Sequence, residues 1–237
     1  MGSFKPGNPS SVQDLFEQIA PRYDQLNDLL SLGLHRLWKH QAMAWLQPRP
    51  GQQLLDLCCG TGDLALLLAA RVRPGGRVLG LDAAAAPLAV AARRAAQQPW
   101  LPLAWQQGDA MDTGLATACC DGAVIAYGLR NLVDPGAGLR ELRRLLRPGA
   151  RAAVLDFNRP VEPSGAAAGF QRAYLRRVVV PIAAQFGIAE HYAYLEESLA
   201  RFPSAPEQRR LARQVGFSAA GHRPLAGGLM GLLELVA

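Results

Sequence analysis

The chain has 237 residues, half of them hydrophobic, with charged residues at 19% and a net charge of +6 at neutral pH, so it holds enough apolar side chains for one large core. No apolar run reaches the length of a membrane span, and residues 1–11, polar and rich in Pro, Gly and Ser, read as a loose tail rather than a signal peptide; a cytoplasmic chain, or one peripheral on a membrane surface, is expected. The positive charge is nearly all arginine and is scattered, often beside acids as at Arg140-Glu141, so it reads as a solvated surface and no nucleic-acid partner is expected.

Residues 12–48 space their apolar side chains at three and four, which predicts helices interrupted at Pro21 and Gly33. They precede the first strand and are expected to lie over a domain rather than inside its sheet. Strand Gln53–Cys58 then enters a glycine turn and is followed by helix Asp63–Arg71. Strand Arg77–Leu81, ended by Asp82, leads to an Ala-rich helix, Ala84–Gln97. Strands Leu103–Gln107 and Asp121–Tyr127 follow, then helix Pro135–Leu146, and "RPG" turns the chain into strand Ala150–Phe157. Such alternation indicates a parallel sheet covered on both faces, an α/β fold. Residues 161–206 break the alternation and read as an inserted helical cap. A helix at Glu207–Val215 and strands at Phe217–His222 and Leu229–Val236 complete the chain. The expected division is therefore 1–48 (tail and covering helices), 49–160 (core), 161–206 (cap) and 207–237 (return to the core).

The four cysteines form two adjacent pairs, Cys58-Cys59 and Cys119-Cys120. Zinc and thioredoxin-type sites use spacers, so neither pair is expected to turn both thiols onto one ion; buried thiols and no metal site are expected. The "LLDLCCGTGDL" loop carries more information. Strand, Gly60-Thr61-Gly62 turn, helix, and an acid 20 residues after Gly62 form a dinucleotide-type signature, G-x-G-x-x-A included. Asp56 and Asp63 bracket the loop, however, where two phosphates would meet carboxylates. A cofactor without phosphate and with positive charge suits it better, and S-adenosylmethionine (SAM) is one. Gly60 and Gly62 permit close backbone approach, Asp56 can hold the ammonium, and Asp82 can accept both ribose hydroxyls. Asp109 can accept from the adenine amino group with the Ala110 backbone beside it. Each acid taken singly also reads as a turn or cap residue.

"YDQLNDLLSLGLHRLWK" (residues 23–39), "LLDLCCGTGDLA", "GDAMD" and "AYGLRNLVDP", in this order over nearly the whole chain, resemble the family that C-methylates ubiquinone and menaquinone precursors. "LRPGARAAVLDFNRP" and "LAGGLMGLLELVA" resemble its cyanobacterial and plastid branch, which acts on demethylphylloquinone (2-phytyl-1,4-naphthoquinone). The resemblance implies a class I SAM-dependent methyltransferase, Rossmann-like, with a seven-stranded, mostly parallel sheet whose last strand is antiparallel. It implies SAM contacts at Thr61, Asp82, Asp109 and Ala110, with Tyr23 closing over the cofactor. "DAAAAPL" after Asp82 and "ATACCDGAV" before the fourth strand depart from the family's usual pattern.

A quinol ring carbon becomes nucleophilic once a hydroxyl loses its proton, so rate should come from alignment and from stabilising the ring oxyanion. Arg130 and Asn131, just past the fourth strand, are the candidate catalytic residues, the first as a permanent cation that steadies the oxyanion or polarises a proton-accepting water. The competing reading of Arg130 is a tie between its loop and Asp134 or another acid. His35 is a rival base that reads equally as a packing or capping residue; His191 could face substrate from the cap, and His40 and His222 carry no usable signal. A lipophilic quinol must be met at a membrane such as the thylakoid, and Arg172, Arg176 and Arg177 beside Phe170, Tyr174 and Val178 form a basic amphipathic helix suited to anionic headgroups, or simply a solvated cap helix. Homo-oligomer formation is left open. The other readings are a menaquinone or ubiquinone enzyme, a nicotinamide oxidoreductase, an RNA methyltransferase and a SAM-binding protein without turnover.

Overall fold

The structure, a computed structural model, describes residues 31, 33–159, 165, 169, 173–174, 177, 195 and 197–237. The helices expected before residue 31, Tyr23, most of the cap, His191, and Phe170, Arg172, Arg176 and Val178 lie outside the described residues. Strands β1 (Gln53–Leu57), β2 (Arg77–Asp82), β3 (Leu103–Gln107), β4 (Cys120–Ala126), β5 (Leu146–Phe157), β6 (Ala219–Leu225) and β7 (Met230–Val236) form one seven-stranded sheet. Its order is β3-β2-β1-β4-β5-β7-β6. β7 runs antiparallel to both neighbours, β5 and β6, and the other four pairings, among β1 to β5, are parallel. The expected sheet and its reversed last strand are both present.

Central strands are apolar on both sides because helices cover both faces. Leu54, Val78 and Val124 meet Trp38, Ala42, Met43 and Leu46 of α1 (Leu34–Leu46) and Leu64, Leu68 and Ala69 of α2 (Asp63–Arg71). Leu55, Leu57 and Ile125 instead meet Leu139, Leu142 and Leu145 of α4 (Pro135–Leu145) and Ala212 of α5 (Ala205–Gln214). α3 (Ala85–Ala96) packs along β2 and β3. α1 lies over the sheet, as expected: Trp45 Nε1 donates to the Ala152 carbonyl at 3.0 Å, and the Arg151 guanidinium sits 4.9 Å from the Trp45 ring centroid.

Helix boundaries follow their caps. Asp134 Oδ1 accepts from the Gly136 and Ala137 N–H groups with Pro135 opening α4, and Ser204 and Glu207 form a capping box on α5. The expected turn at Arg147-Pro148-Gly149 is absorbed into β5, which begins at Leu146 and pairs with β4 through a bulge. Among the described residues no helix is long and apolar enough to cross a membrane.

The chain lays down β1, β2 and β3 toward one edge, then returns to place β4 and β5 on the other side of β1. The crevice of such a sheet opens at the carboxyl ends of the strands flanking that reversal, β1 and β4.

Candidate active site

The backbone leaves β1 through a run of unusual conformations: Cys58 at φ 60°, Gly60 at 54° and Gly62 at 83°. Gly60 N–H donates to Asp82 Oδ2 at 2.8 Å, and Cys59 N–H to the Leu81 carbonyl at 3.0 Å, so β2 holds the loop folded back. Gly62 is required twice over. Besides its left-handed φ, a Cβ there would stand 2.6 Å from the Trp105 ring and 3.0 Å from Ala91. The same indole lies on Gly80, where a Cβ would fall 2.4 Å from it. Gly62→Ala is expected to cost about 2–4 kcal/mol, from backbone strain plus overpacking. Denaturant unfolding followed by Trp fluorescence and by circular dichroism checks it, and a loss below 1 kcal/mol would mean that Trp105 yields without cost.

Asp56, near the end of β1, is 2% exposed. Its carboxylate receives the Ala65 N–H, while Oδ2 is buried with no hydrogen-bond partner. Burial pushes its carboxyl up to about 7, with Asp82 and Asp63 adding to the rise and the Ala65 N–H and Lys39 opposing it. A buried carboxylate with an unmatched oxygen beneath a glycine loop fits a cationic amino group, and a phosphate there would meet like charge. The residues therefore fit SAM.

Asp82 is half-buried and clamps the loop: besides Gly60, its Oδ1 accepts from Ala84 N–H at 3.0 Å. Asp109 is exposed after β3 and its Oδ1 accepts from Met111 N–H at 2.8 Å; Ala110 beside it is buried. Gly108 N–H donates to the Asp82 carbonyl at 3.0 Å and ties the two strand ends together. Thr61 is 3% exposed, its carbonyl 3.0 Å and its Oγ1 3.4 Å from Arg94 Nη1.

Asp63, which opens α2, joins three helices. It takes Lys39 Nζ of α1 at 2.7 Å and Arg94 Nη2 of α3 at 2.5 Å. Burial raises its carboxyl, but the two cations outweigh burial and hold it below the ordinary carboxylate range. His35, the rival base, is 4% exposed and hydrogen-bonded through Nδ1 to Ser31 Oγ at 2.9 Å, in keeping with the packing reading.

Beyond β4, Tyr127 adopts φ 62° and presents its carbonyl to both candidate catalytic residues. Arg130 Nη1 donates to that carbonyl at 2.6 Å and Asn131 Nδ2 does so at 3.0 Å. Arg130 Nη1 also donates to Asp156 Oδ1 at 2.7 Å, and Arg130 N–H to Asp156 Oδ2 at 3.1 Å. The guanidinium stands 5.4 Å from the Phe157 ring centroid. So Arg130 does tie its loop to an acid; that acid is Asp156 at the end of β5, and Asp134 is spent on capping α4. The two loops touch, because a Cβ on Gly128 would fall 2.4 Å from Cys58 Cβ.

The structure thus brings Asp56, Gly60, Thr61, Gly62 and Asp82 into one cluster, with Asp109 and Ala110 on the next strand end and Arg130 and Asn131 on the loop against Cys58. Sequence reasoning missed Asp156, Lys39 and Tyr127. Asp156 carries the same signal as Asp82, an acid at the carboxyl end of a parallel strand; the partnerships of Lys39 and Tyr127 are tertiary and leave no local signal. Among the described residues no group of three or more His, Cys, Asp or Glu side chains could hold a metal ion.

Residues 5–233 match the model of the ubiE/COQ5 methyltransferase family. The chain is 50% identical over 223 residues to the 2-phytyl-1,4-naphtoquinone methyltransferase of Thermosynechococcus vestitus, covering 94% of this chain and 97% of that one. The protein of the same name from Synechococcus elongatus is 50% identical, with 97% and 98% covered. The chloroplastic 2-phytyl-1,4-beta-naphthoquinone methyltransferase of Arabidopsis thaliana is 42% identical, with 92% and 84% covered. In fold, the chain is similar to a SAM-dependent methyltransferase from Aquifex aeolicus (TM-score 0.60, 16% identity, 97% of this chain and 98% of that one). A SAM-dependent methyltransferase from Thermotoga maritima is equally close (TM-score 0.63, 16% identity, 95% and 99% covered). With a family match across nearly its whole length, the chain belongs to the ubiE/COQ5 methyltransferase family.

Proposed function

We propose that the protein methylates a ring carbon of reduced 2-phytyl-1,4-naphthoquinone, the demethylphylloquinone step that completes phylloquinone, with SAM as methyl donor. The observation that carries this reading is the 50% identity, over nearly the full length of both chains, to cyanobacterial enzymes named for that substrate. Bound SAM supplies an electrophilic methyl group on a cationic sulfur. Asp56 holds the amino group, Gly60, Thr61 and Gly62 let the backbone close on the cofactor, Asp82 accepts the ribose hydroxyls, and Asp109 with Ala110 receives the adenine. Tyr23 covers the site, as do residues 1–48 and the cap at 161–206 more broadly.

On the acceptor side, Arg130 supplies fixed positive charge for the oxyanion that forms as a quinol hydroxyl loses its proton. Asp156 and the Tyr127 carbonyl hold that guanidinium in place, so little reorganisation accompanies the charge. Asn131 sits beside it on the same carbonyl and offers an amide to the ring oxygen. The phytyl tail requires peripheral contact with a membrane, for which the basic segment at 170–178 is the proposed surface.

The test is methyl transfer from labelled SAM to chemically reduced demethylphylloquinone in lipid vesicles, read by product mass, with demethylmenaquinol and a demethyl benzoquinol run in parallel. Preference for the phytyl naphthoquinol supports the reading. Equal use of both naphthoquinols would reduce it to a ring-specific enzyme, and no transfer to any acceptor while SAM binds would overturn it.

A further inference from the structure

In extended backbone, adjacent side chains point to opposite faces. The sulfurs of Cys58 and Cys59, just past the end of β1, also lie apart. A Cβ on Gly128, in the loop after β4, would stand 2.8 Å from Cys58 Sγ, and one on Gly80 of β2 would stand 3.0 Å from Cys59 Sγ. Cys119 and Cys120 differ: their sulfurs are 3.4 Å apart, and both thiols are free. This closeness of the two sulfurs is not legible in the sequence. Cys120 is the first residue of β4, whereas Cys119 still belongs to the preceding turn, which enters through Ala118 at φ 51°. That turn is fastened at Ala118, whose N–H donates to the Arg144 carbonyl at 3.0 Å and whose carbonyl accepts from Arg147 Nε at 3.3 Å. Cys119 is half-buried and Cys120 lies buried behind it, so a reagent reaches the pair over Cys119.

We propose that Cys119 and Cys120 form a bidentate dithiol site for trivalent arsenicals and like thiophilic compounds, separate from the methyl-transfer site. Sulfur bonds of about 2.3 Å put two sulfurs about 3.3 Å apart at a right angle and about 3.8 Å apart at the tetrahedral angle. The observed 3.4 Å matches the near-right angle of pyramidal trivalent arsenic better than tetrahedral zinc. Zinc also needs more ligands than two, and among the described residues no third His, Cys, Asp or Glu completes a metal group here. An organoarsenic centre bearing one carbon substituent needs two thiols and no more. Burial pushes the Cys120 thiol up, helped by its contact with Cys119; this disfavours cations that demand two thiolates. Condensation with an organoarsenic(III) oxide suits protonated thiols. Two S–H bonds and the arsenic–oxygen bond break, two arsenic–sulfur bonds form, one water leaves, and no oxidation state changes.

The site is distant from the cofactor loop. β4 runs seven residues from Cys120 to Ala126, placing the pair about 20 Å along the strand from its carboxyl end.

Phenylarsine oxide, added to the reduced full-length chain and followed by intact mass, tests the proposal. One adduct should form, with the mass of the reagent less one water, surviving excess monothiol and removed by a dithiol. Cys119→Ser and Cys120→Ser should each abolish the monothiol-resistant adduct while keeping a cooperative thermal transition, and Cys58→Ser and Cys59→Ser should retain it. Cys119→Ser should also retain SAM binding. An adduct retained in Cys119→Ser, lost in Cys58→Ser, or stripped by monothiol would overturn the assignment, as would the absence of any adduct.

Discussion

Replacing Asp156 with alanine is expected to destabilise the protein by about 3–5 kcal/mol, the usual cost of leaving a buried charge without its partner. The side chains of Arg130 and Asp156 are 10% and 4% exposed, and the carboxylate takes three donors: Arg130 Nη1, Arg130 N–H and Phe157 N–H. Arg130→Ala should cost a similar amount, because it strands Asp156 instead. The two roles of the pair, structural and catalytic, separate in the double variant Arg130→Met/Asp156→Leu. Apolar replacement of a whole buried pair is often neutral, so much of the stability should return. Activity should not. If Arg130 supplies the charge for the ring oxyanion, kcat falls about 10²–10³-fold in Arg130→Ala and in the double variant alike. Urea unfolding and steady-state methyl transfer together decide it: a double variant that is stable and fully active would leave Arg130 a purely structural tie.

Asp56 gives the second large effect, and its sign is opposite to the usual carboxylate. Its folded value of about 7 lies above the ordinary 3.8. Between these limits the folded chain holds a proton that the unfolded chain has lost, so stability falls as pH rises. A rise from 3.8 to about 7 corresponds to roughly 4 kcal/mol, fully incurred above pH 7. Asp56→Asn removes this charge while keeping an acceptor for the Ala65 N–H, so the ligand-free variant should be the more stable of the two at pH 8. For SAM the order reverses. An ammonium favours the charged form, so affinity in the natural chain should rise about tenfold per pH unit up to about pH 7 and then level. Asp56→Asn should bind about 10–100-fold more weakly at pH 8 and lack that slope. Calorimetric titration of SAM across pH 5.5–8.5 checks this, and parallel pH profiles would remove Asp56 from the cofactor set.

Sequence reading succeeded where the causes are local. β3 and α2 begin and end where their patterns place them, because apolar runs and glycine turns act over a few residues. The boundary error at β5 has a physical source: Arg147-Pro148-Gly149 has turn chemistry, but β4 pairs at Leu146 and again from Arg151, which carries the segment between them into the strand as a bulge. At the site, strand-end acids and the glycine loop were legible one by one. That Arg130 would find Asp156, 26 residues away, was not, though the Asp134-Pro135 helix start could have removed the competing acid. The role of Gly80 was equally hidden. Nothing in β2 announces an indole from β3, and the requirement appears only when Trp105 lies across it.

The sheet order has a kinetic side. β6 meets the sheet through β7, and β7 lies between β5 and β6 although it follows both in the chain. A growing polypeptide can therefore assemble β1 to β5 as each strand emerges, while β6 waits with its main-chain groups unpaired until β7 arrives to fill the gap. The β5 edge stays open for the same interval, a template for any passing extended segment. Synthesis should thus proceed through a five-stranded intermediate with its β5 edge exposed, and chaperone capture should concentrate on chains stalled between the completion of β5 and the emergence of β7.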